Sequence, residues 1–286
     1  MSSDNQVRTW LTSVPRWQFF WRLMAFTMVY SVASLFVDSS YLPKKQIMEA
    51  GGVMISSVVM GILLAFRTNS AYDRWWEGRK LWGQLVNDIR NLSLKVASFS
   101  GVAHQRKRRF YDLLKIFPRA LKNHLRGLPP DEEVLKFVPE GVSAPHVPLL
   151  IAARIQNIII DWEDDKFVNG FEQLILDPHV RALMDICGAC ERILKTPIFG
   201  TYKDLIWIGL TIYILVLPWL LIPVVHAWCL PMIFVTAYFI FGLELVSEEV
   251  EEPFGQDIND LPLDSICTTI ADSVSQIEEL DARDLL

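Results

Sequence analysis

Four apolar stretches approach or reach the length of a bilayer crossing, and no other feature of the chain restricts its fold as much. They are residues 19–37, 47–66, 205–225 and 228–243. A hydrocarbon core of about 30 Å takes roughly 20 apolar residues as a helix. The first stretch carries Arg22 near one end, where its stem can snorkel, and the second carries Glu49 at its outer end and no charge thereafter. Pro218, Pro223 and Pro231 interrupt the last two, as kinks that a membrane bundle tolerates. The other possibility is that these are buried helices of a large soluble α-protein. Composition favours the membrane: 51% of the 286 residues are apolar and mean hydropathy is +0.26, high for a soluble domain.

The first fifteen residues are polar and no cleavage motif follows the first apolar run, so the N-terminus is expected to stay in the cytosol. Four cysteines, Cys187, Cys190, Cys229 and Cys267, are too sparse for a disulfide framework. A net charge of -6 gives no reason to expect a nucleic-acid partner. Most Lys and Arg lie in residues 67–204, and by the positive-inside rule both termini and this long middle segment are cytosolic. The expected organisation is an N-terminal segment with a first hairpin (1–66), a helical cytosolic domain (67–204), a second hairpin (205–247) and an acidic cytosolic tail (248–286).

The middle segment reads as helix throughout, with Leu81, Leu85, Ile89, Leu92 and Val96 at helical spacing and similar patterns over residues 110–125, 151–160 and 174–194. Pro129, Pro130, Pro139, Pro145 and Pro148 mark turns. In the second apolar stretch, Ser57, Gly61 and Ala65 form a small-residue stripe that admits a close neighbour. Beside it run Val58, Ile62 and Phe66. Such a pair of stripes suits helices ringed around an axis, and equally suits plain packing in a bundle.

Nothing between Arg67 and Val96 is a proline, so the second span is predicted to continue as one helix into the cytosol. Gly78 and Gly83 cost about 1 kcal/mol each relative to alanine. Trp75, at 1.5 Å per residue, falls about 13 Å past Phe66. Trp75, Trp76 and Trp82 are therefore placed in the packing of the cytosolic domain, and Glu77 has Arg74 and Lys80 within three residues for weak intrahelical pairs.

Other features read blandly. Cys187-Gly-Ala-Cys190 lacks a second metal-binding pair, Arg106-Lys-Arg-Arg109 reads as a solvated or headgroup-facing patch, and the histidines at 104, 124, 146, 179 and 226 are scattered. No nucleophile elbow or phosphate loop supports an enzyme. After residue 247 carboxylates gather around Pro253-Phe254-Gly255; Asp257 and Asp260 could ligate Ca²⁺, but the spacing is not an EF-hand and a solvated tail is the simpler reading.

Several of these residues together resemble a bestrophin: Phe66-Arg-x-Asn-x-Ala-Tyr-x-Arg-Trp-Trp-Glu-x-Arg-Lys-x-Trp-Gly83, Thr196-Pro-Ile leading to Tyr202, and Glu252-Pro-Phe-Gly255 followed by Asn259-Asp-Leu-Pro-Leu-Asp264. The anchors span nearly the whole chain, and the ending is similar to the bacterial and plant-plastid branch. The resemblance implies an all-α homopentameric ion channel with four membrane helices per subunit, no enzyme activity, and a pore lined by the second helix. Counted back from Arg74, the family's hydrophobic neck falls on Val58, Ile62 and Phe66, where apolar rings can gate by dewetting. Its cytosolic constriction falls within residues 196–202, at Ile198 and Thr201, although a proline common in relatives is absent here. Animal members clasp Ca²⁺ with an unbroken acidic run; here only Asp257 and Asp260 match, so no cofactor is required and calcium is optional. Partners are other copies of the chain, permeant ions and membrane lipids. Small anions, chloride above all, are the expected cargo, with sodium conduction and a non-conducting membrane scaffold as the alternatives.

Overall fold

The computed structural model describes residues 16–37, 52–138, 146–257 and 259–285, and among them there is no strand. The helices are α1 (Arg16–Leu35), α2 (Gly52–Ala97), α3 (His104–Leu125), the single turn α4 (Glu132–Leu135), α5 (Val147–Asp164), α6 (Gly170–Lys195), α7 (Gly200–Val225), α8 (Cys229–Val250) and α9 (Leu263–Ala282). The all-α expectation holds. So does the unbroken second helix: with no proline to remove a donor, α2 runs for 46 residues. The start of the second apolar stretch, residues 47–51, and the turns at Pro139 and Pro145 lie outside the described residues.

Two compact units divide the chain: Met1–Asp73 with Ile198–Glu251, and Arg74–Pro197 with Glu252–Leu286. The expected joins after 66, 204 and 247 each lie within about two helical turns of these.

In the first unit, α1, α7 and α8 pack on one another. They close with α2 on a core of Phe20, Met24, Leu64, Ile206, Leu210, Ile214, Ala237, Phe241 and Leu245. The hydroxyls of Thr27, Ser31 and Ser34 each donate to the carbonyl four residues back, which satisfies polar groups where water is scarce. α2 meets α7 tightly at Gly209, where an added Cβ would lie 2.8 Å from the Met60 side chain, whereas a Cβ on Gly61 would meet nothing within 4 Å. α7 continues through Pro218 and Pro223 and ends at His226, whose φ is +47°. The most apolar 18-residue window within Gly200–Val250 has a mean hydropathy of 2.4, yet only 28% of it is buried. A core helix of a soluble protein hides its apolar surface; this one displays it.

The second unit has its own core, from Trp82, Leu85 and Ile89 of α2 through Phe110, Leu114 and Phe117 of α3 to Leu183 and Ile186 of α6. α6 opens with a reciprocal cap, in which the Asn169 side chain accepts from Glu172 N–H while the Glu172 carboxylate accepts from Asn169 N–H. The acidic tail belongs to this unit. In α9, Leu263, Cys267, Ile270, Val274 and Ile277 recur on one face and are buried, and α9 packs along α3.

Two bland readings are corrected here. The tail is not simply solvated: Glu278 takes Lys115 at 2.5 Å and Asp264 takes Lys122 and Arg126 at 2.7 and 2.9 Å, holding the Asp264 carboxyl below its usual range. Nor is Arg106-Lys-Arg-Arg109 a wholly solvated patch. Lys107 is buried, donating to Asp281 at 2.9 Å and to the Ala97 carbonyl at 2.8 Å, and Arg106 pairs with Asp165 and sits 4.5 Å over the Phe167 ring. The opposite charges come from distant parts of the chain, so no local pattern announces them.

Gly78 shows why the tail motif has its shape. A Cβ there would stand 3.1 Å from the buried Phe254 ring and 3.3 Å from Pro253, so the missing side chain is the seat for the Pro-Phe pair. Gly188 of α6 faces nothing within 4 Å. Gly78→Val is therefore expected to destabilise the protein by about 1–3 kcal/mol through overpacking, while Gly188→Ala stabilises it by up to about 1 kcal/mol through helix propensity. Thermal melts of the two purified variants check the opposite signs.

Candidate functional site: the exposed face of α2

Between residues 57 and 73 the faces of α2 separate cleanly. Leu64, Arg67 and Ala71 are buried and Met60 is half-buried, and at 100° per residue these four fall on one side of the helix. Val58, Ile62 and Phe66 lie on the opposite side and are 57%, 51% and 62% exposed. Three large apolar side chains, one turn apart on the face farthest from the subunit's own core, form a ridge left exposed among the described residues. Ser57, between the two faces, shares a 2.8 Å hydrogen bond with the Tyr213 hydroxyl.

Immediately after Phe66 comes a buried ion cluster. The Arg67 guanidinium, fully buried, donates from Nε to Glu244 Oε1 at 3.3 Å and from Nη2 to Glu251 Oε2 at 2.8 Å. Lys203 Nζ also reaches Glu251 Oε2, at 2.8 Å, and the Ile198 N–H donates to Glu251 Oε1 at 3.0 Å. Thr68 and Ser247 share a hydroxyl bond of 2.9 Å, and Trp207 Nε1 donates to Glu248 at 2.9 Å. Arg67, Glu244 and Glu251 are enclosed while Lys203 reaches solvent, and Arg67 Nη1 and Glu244 Oε2 are left without a hydrogen-bond partner among the described residues. Sequence reading passed over this cluster; the only signal was an arginine at the edge of an apolar run and glutamates at the far end of another.

The same cluster reaches the expected aperture. Ile198, half-buried, is tied to Glu251 through its own N–H, and Thr201 lies exposed in the first turn of α7. Phe199 between them is 84% exposed, an apolar side chain as free to face an opening as Ile198.

In the second unit, Arg74 makes no intrahelical pair with Glu77. Its guanidinium donates to the carbonyls of Ile193, at 2.6 Å, and Thr196, capping the C-terminal end of α6, where unpaired carbonyls and the helix dipole favour a cation. Glu77 pairs with Arg192 at 2.9 Å. Trp82 is fully buried and Trp75 half-buried, its indole N–H donating to the Asn259 carbonyl at 3.1 Å, but Trp76 is half exposed. Pro253 and Phe254 seat on Gly78, and a Cβ on Gly255 would come within 2.5 Å of the Asp260 carboxylate. Asp260 Oδ2 accepts from the Asp257 N–H at 2.6 Å, so this carboxylate closes the turn that Gly255 begins. Cys187 and Cys190 are buried, and burial pushes both thiols up to about 12, as expected of packing cysteines.

A family model described as Bacterial/Fungal Bestrophin protein matches residues 11–276. The chain belongs to the bestrophin family. This bestrophin is 38% identical over 236 residues to a voltage-dependent anion channel-forming protein, sll1024, of Synechocystis, covering 79% of this chain and 77% of that one. It is 32% identical to the Escherichia coli voltage-dependent anion channel-forming protein YneE, covering 79% and 75%. Among solved structures, a bestrophin homolog from Klebsiella pneumoniae superposes with a TM-score of 0.81 at 22% identity, over 88% of this chain and 96% of that one. The fold is thus that of the family; the matching model is the bacterial and fungal one, where the tail motif resembles the bacterial and plant-plastid branch.

Removing Arg67 from this bestrophin leaves two buried carboxylates facing Lys203 alone. Arg67→Met is expected to lose about 3–5 kcal/mol of stability, the usual result of breaking a buried pair from one side. Arg67→Lys loses part of it, since an ammonium lacks the planar fork that spans two carboxylates. Melting curves in detergent check the order.

Proposed function

We propose that this bestrophin is one subunit of a homopentameric channel that conducts chloride and similar small anions. The observation that carries the reading is the exposed ridge of Val58, Ile62 and Phe66, set opposite the face by which α2 is held in its own subunit. Five copies of such a helix around an axis bring five apolar side chains together into one ring at each of three levels, and cyclic symmetry closes each ring. A dewetting constriction of this kind admits an ion only when it widens. The relatives named as anion channel-forming proteins support the cargo. Each subunit contributes four membrane helices, α1, the first part of α2, α7 and α8, with lipid against their exposed apolar sides and both termini in the cytosol. The cytosolic aperture lies at Ile198 and Thr201. Nucleic acid has no part in it.

Native mass measurement in detergent should give five chains. After reconstitution in liposomes, Ile62→Ala and Phe66→Ala are expected to raise ion flux above the wild type, because a shorter side chain widens the ring. The reversal potential in a KCl gradient should sit near the chloride equilibrium value. A potential near that of the cation would make the pore cation-selective, and background flux in both variants would make the protein a scaffold.

For calcium, Asp257 and Asp260 are the acidic pair of the tail turn, with Asp260 already engaged by a peptide N–H. If they clasp the ion, Ca²⁺ raises the melting temperature over a chelator control and Asp257→Asn abolishes the rise. Identical melts with Ca²⁺ and chelator assign the turn to structure alone.

A further inference from the structure

Two of the scattered histidines meet. His124 stands in the last turn of α3, His146 is the N-cap of α5, and Glu191 lies near the end of α6. Their Nε2 atoms point at the same carboxylate oxygen, His124 at 2.7 Å and His146 at 2.8 Å from Glu191 Oε1, and the two rings lie 4.4 Å apart. All three donor atoms fall within 4.8 Å of one another. The side chains are 24%, 29% and 17% exposed, enclosed but reachable from solvent. Lys195 holds the other carboxylate oxygen at 2.8 Å, and the Cys187 thiol stands 3.9 Å from Oε1. Lys195 first, then the two histidines, keep the Glu191 carboxyl ionised, lowered to about 2 against the opposing effect of burial.

We propose that His124, His146 and Glu191 form a binding site for one divalent transition-metal ion of the zinc class, which ties α3, α5 and α6 together. Two imidazoles and one carboxylate are a donor set suited to Zn²⁺, Co²⁺ or Ni²⁺ and poorly suited to Mg²⁺ or Ca²⁺, which prefer all-oxygen shells. Three protein ligands leave the fourth tetrahedral position to water. Bonds of about 2.1 Å place tetrahedral donors about 3.4 Å apart, so the rings move outward by roughly half an ångström when the ion enters.

Two local groups set the affinity. His146 Nδ1 accepts from the Leu149 N–H at 3.1 Å, so the neutral ring carries its proton on Nε2. An ion on Nε2 requires that proton on Nδ1 instead, so loading breaks the hydrogen bond from the Leu149 N–H and turns the ring away from it. Lys195, hydrogen-bonded to the other oxygen of the Glu191 carboxylate, weakens binding by like charge. The site is independent of whether the protein conducts.

The test uses the full-length protein, purified without a histidine tag, stripped with chelator and supplied with Zn²⁺, Co²⁺, Mg²⁺ or Ca²⁺. Elemental analysis after desalting should find one zinc per chain, and Zn²⁺ and Co²⁺ should raise the melting temperature where Mg²⁺ and Ca²⁺ do not. The double variant His124→Gln, His146→Gln loses the bound zinc, and Lys195→Gln binds it several-fold more tightly. Less than one zinc per chain in the wild type, or the same zinc content in the double variant, overturns the proposal. Should the double variant not fold, Lys195→Gln decides: unchanged zinc affinity also overturns it.

Discussion

A buried guanidinium organises the first unit. Arg67 sits where the apolar part of α2 ends, fully enclosed, and its two carboxylate partners come from α8 and the residue that follows it. A charge there is tolerable only because the partners are placed to meet it. That requirement fixes the rotation of α2 in its unit, and with the rotation fixed Val58, Ile62 and Phe66 have one direction to face. The exposed apolar ridge thus follows from an electrostatic constraint one residue away.

Glu251 extends the constraint to the start of α7. It accepts from the Ile198 N–H while holding Arg67 and Lys203, so one carboxylate sets both the pore-helix candidate and the turn at which the aperture was placed. An apolar side chain could fill the same space but could not bind three groups from two distant segments at defined angles.

What could be read in the sequence was local. The length of α2 followed from the absence of proline, the helices of the second unit from apolar spacing, and the membrane class from runs of apolar residues. The ridge at Val58, Ile62 and Phe66 was visible as a stripe, although its exposure was not. The ion cluster was hidden because its partners are 177 and 184 residues apart. The meeting of His124 and His146 on Glu191 was hidden likewise, at separations of 67 and 45 residues. The roles of Arg74 and Glu77 went astray for a related reason: neighbours three residues away on a helix were available on paper, but the end of α6 offered Arg74 unpaired carbonyls and Arg192 offered Glu77 a charge.

The second unit is discontinuous, with Glu252–Leu286 completing what Arg74–Pro197 begins. α9 lays Leu263, Cys267, Ile270 and Val274 into the core that α3 shares, and Asp281, near its end, is the counter-charge of buried Lys107. In chain order these residues follow α7 and α8. During synthesis the unit must therefore wait, one face of α3 uncovered and Lys107 unneutralised, while two further apolar helices are made. A chain stopped before α9 would have made every residue of the proposed neck and still be left with an open core.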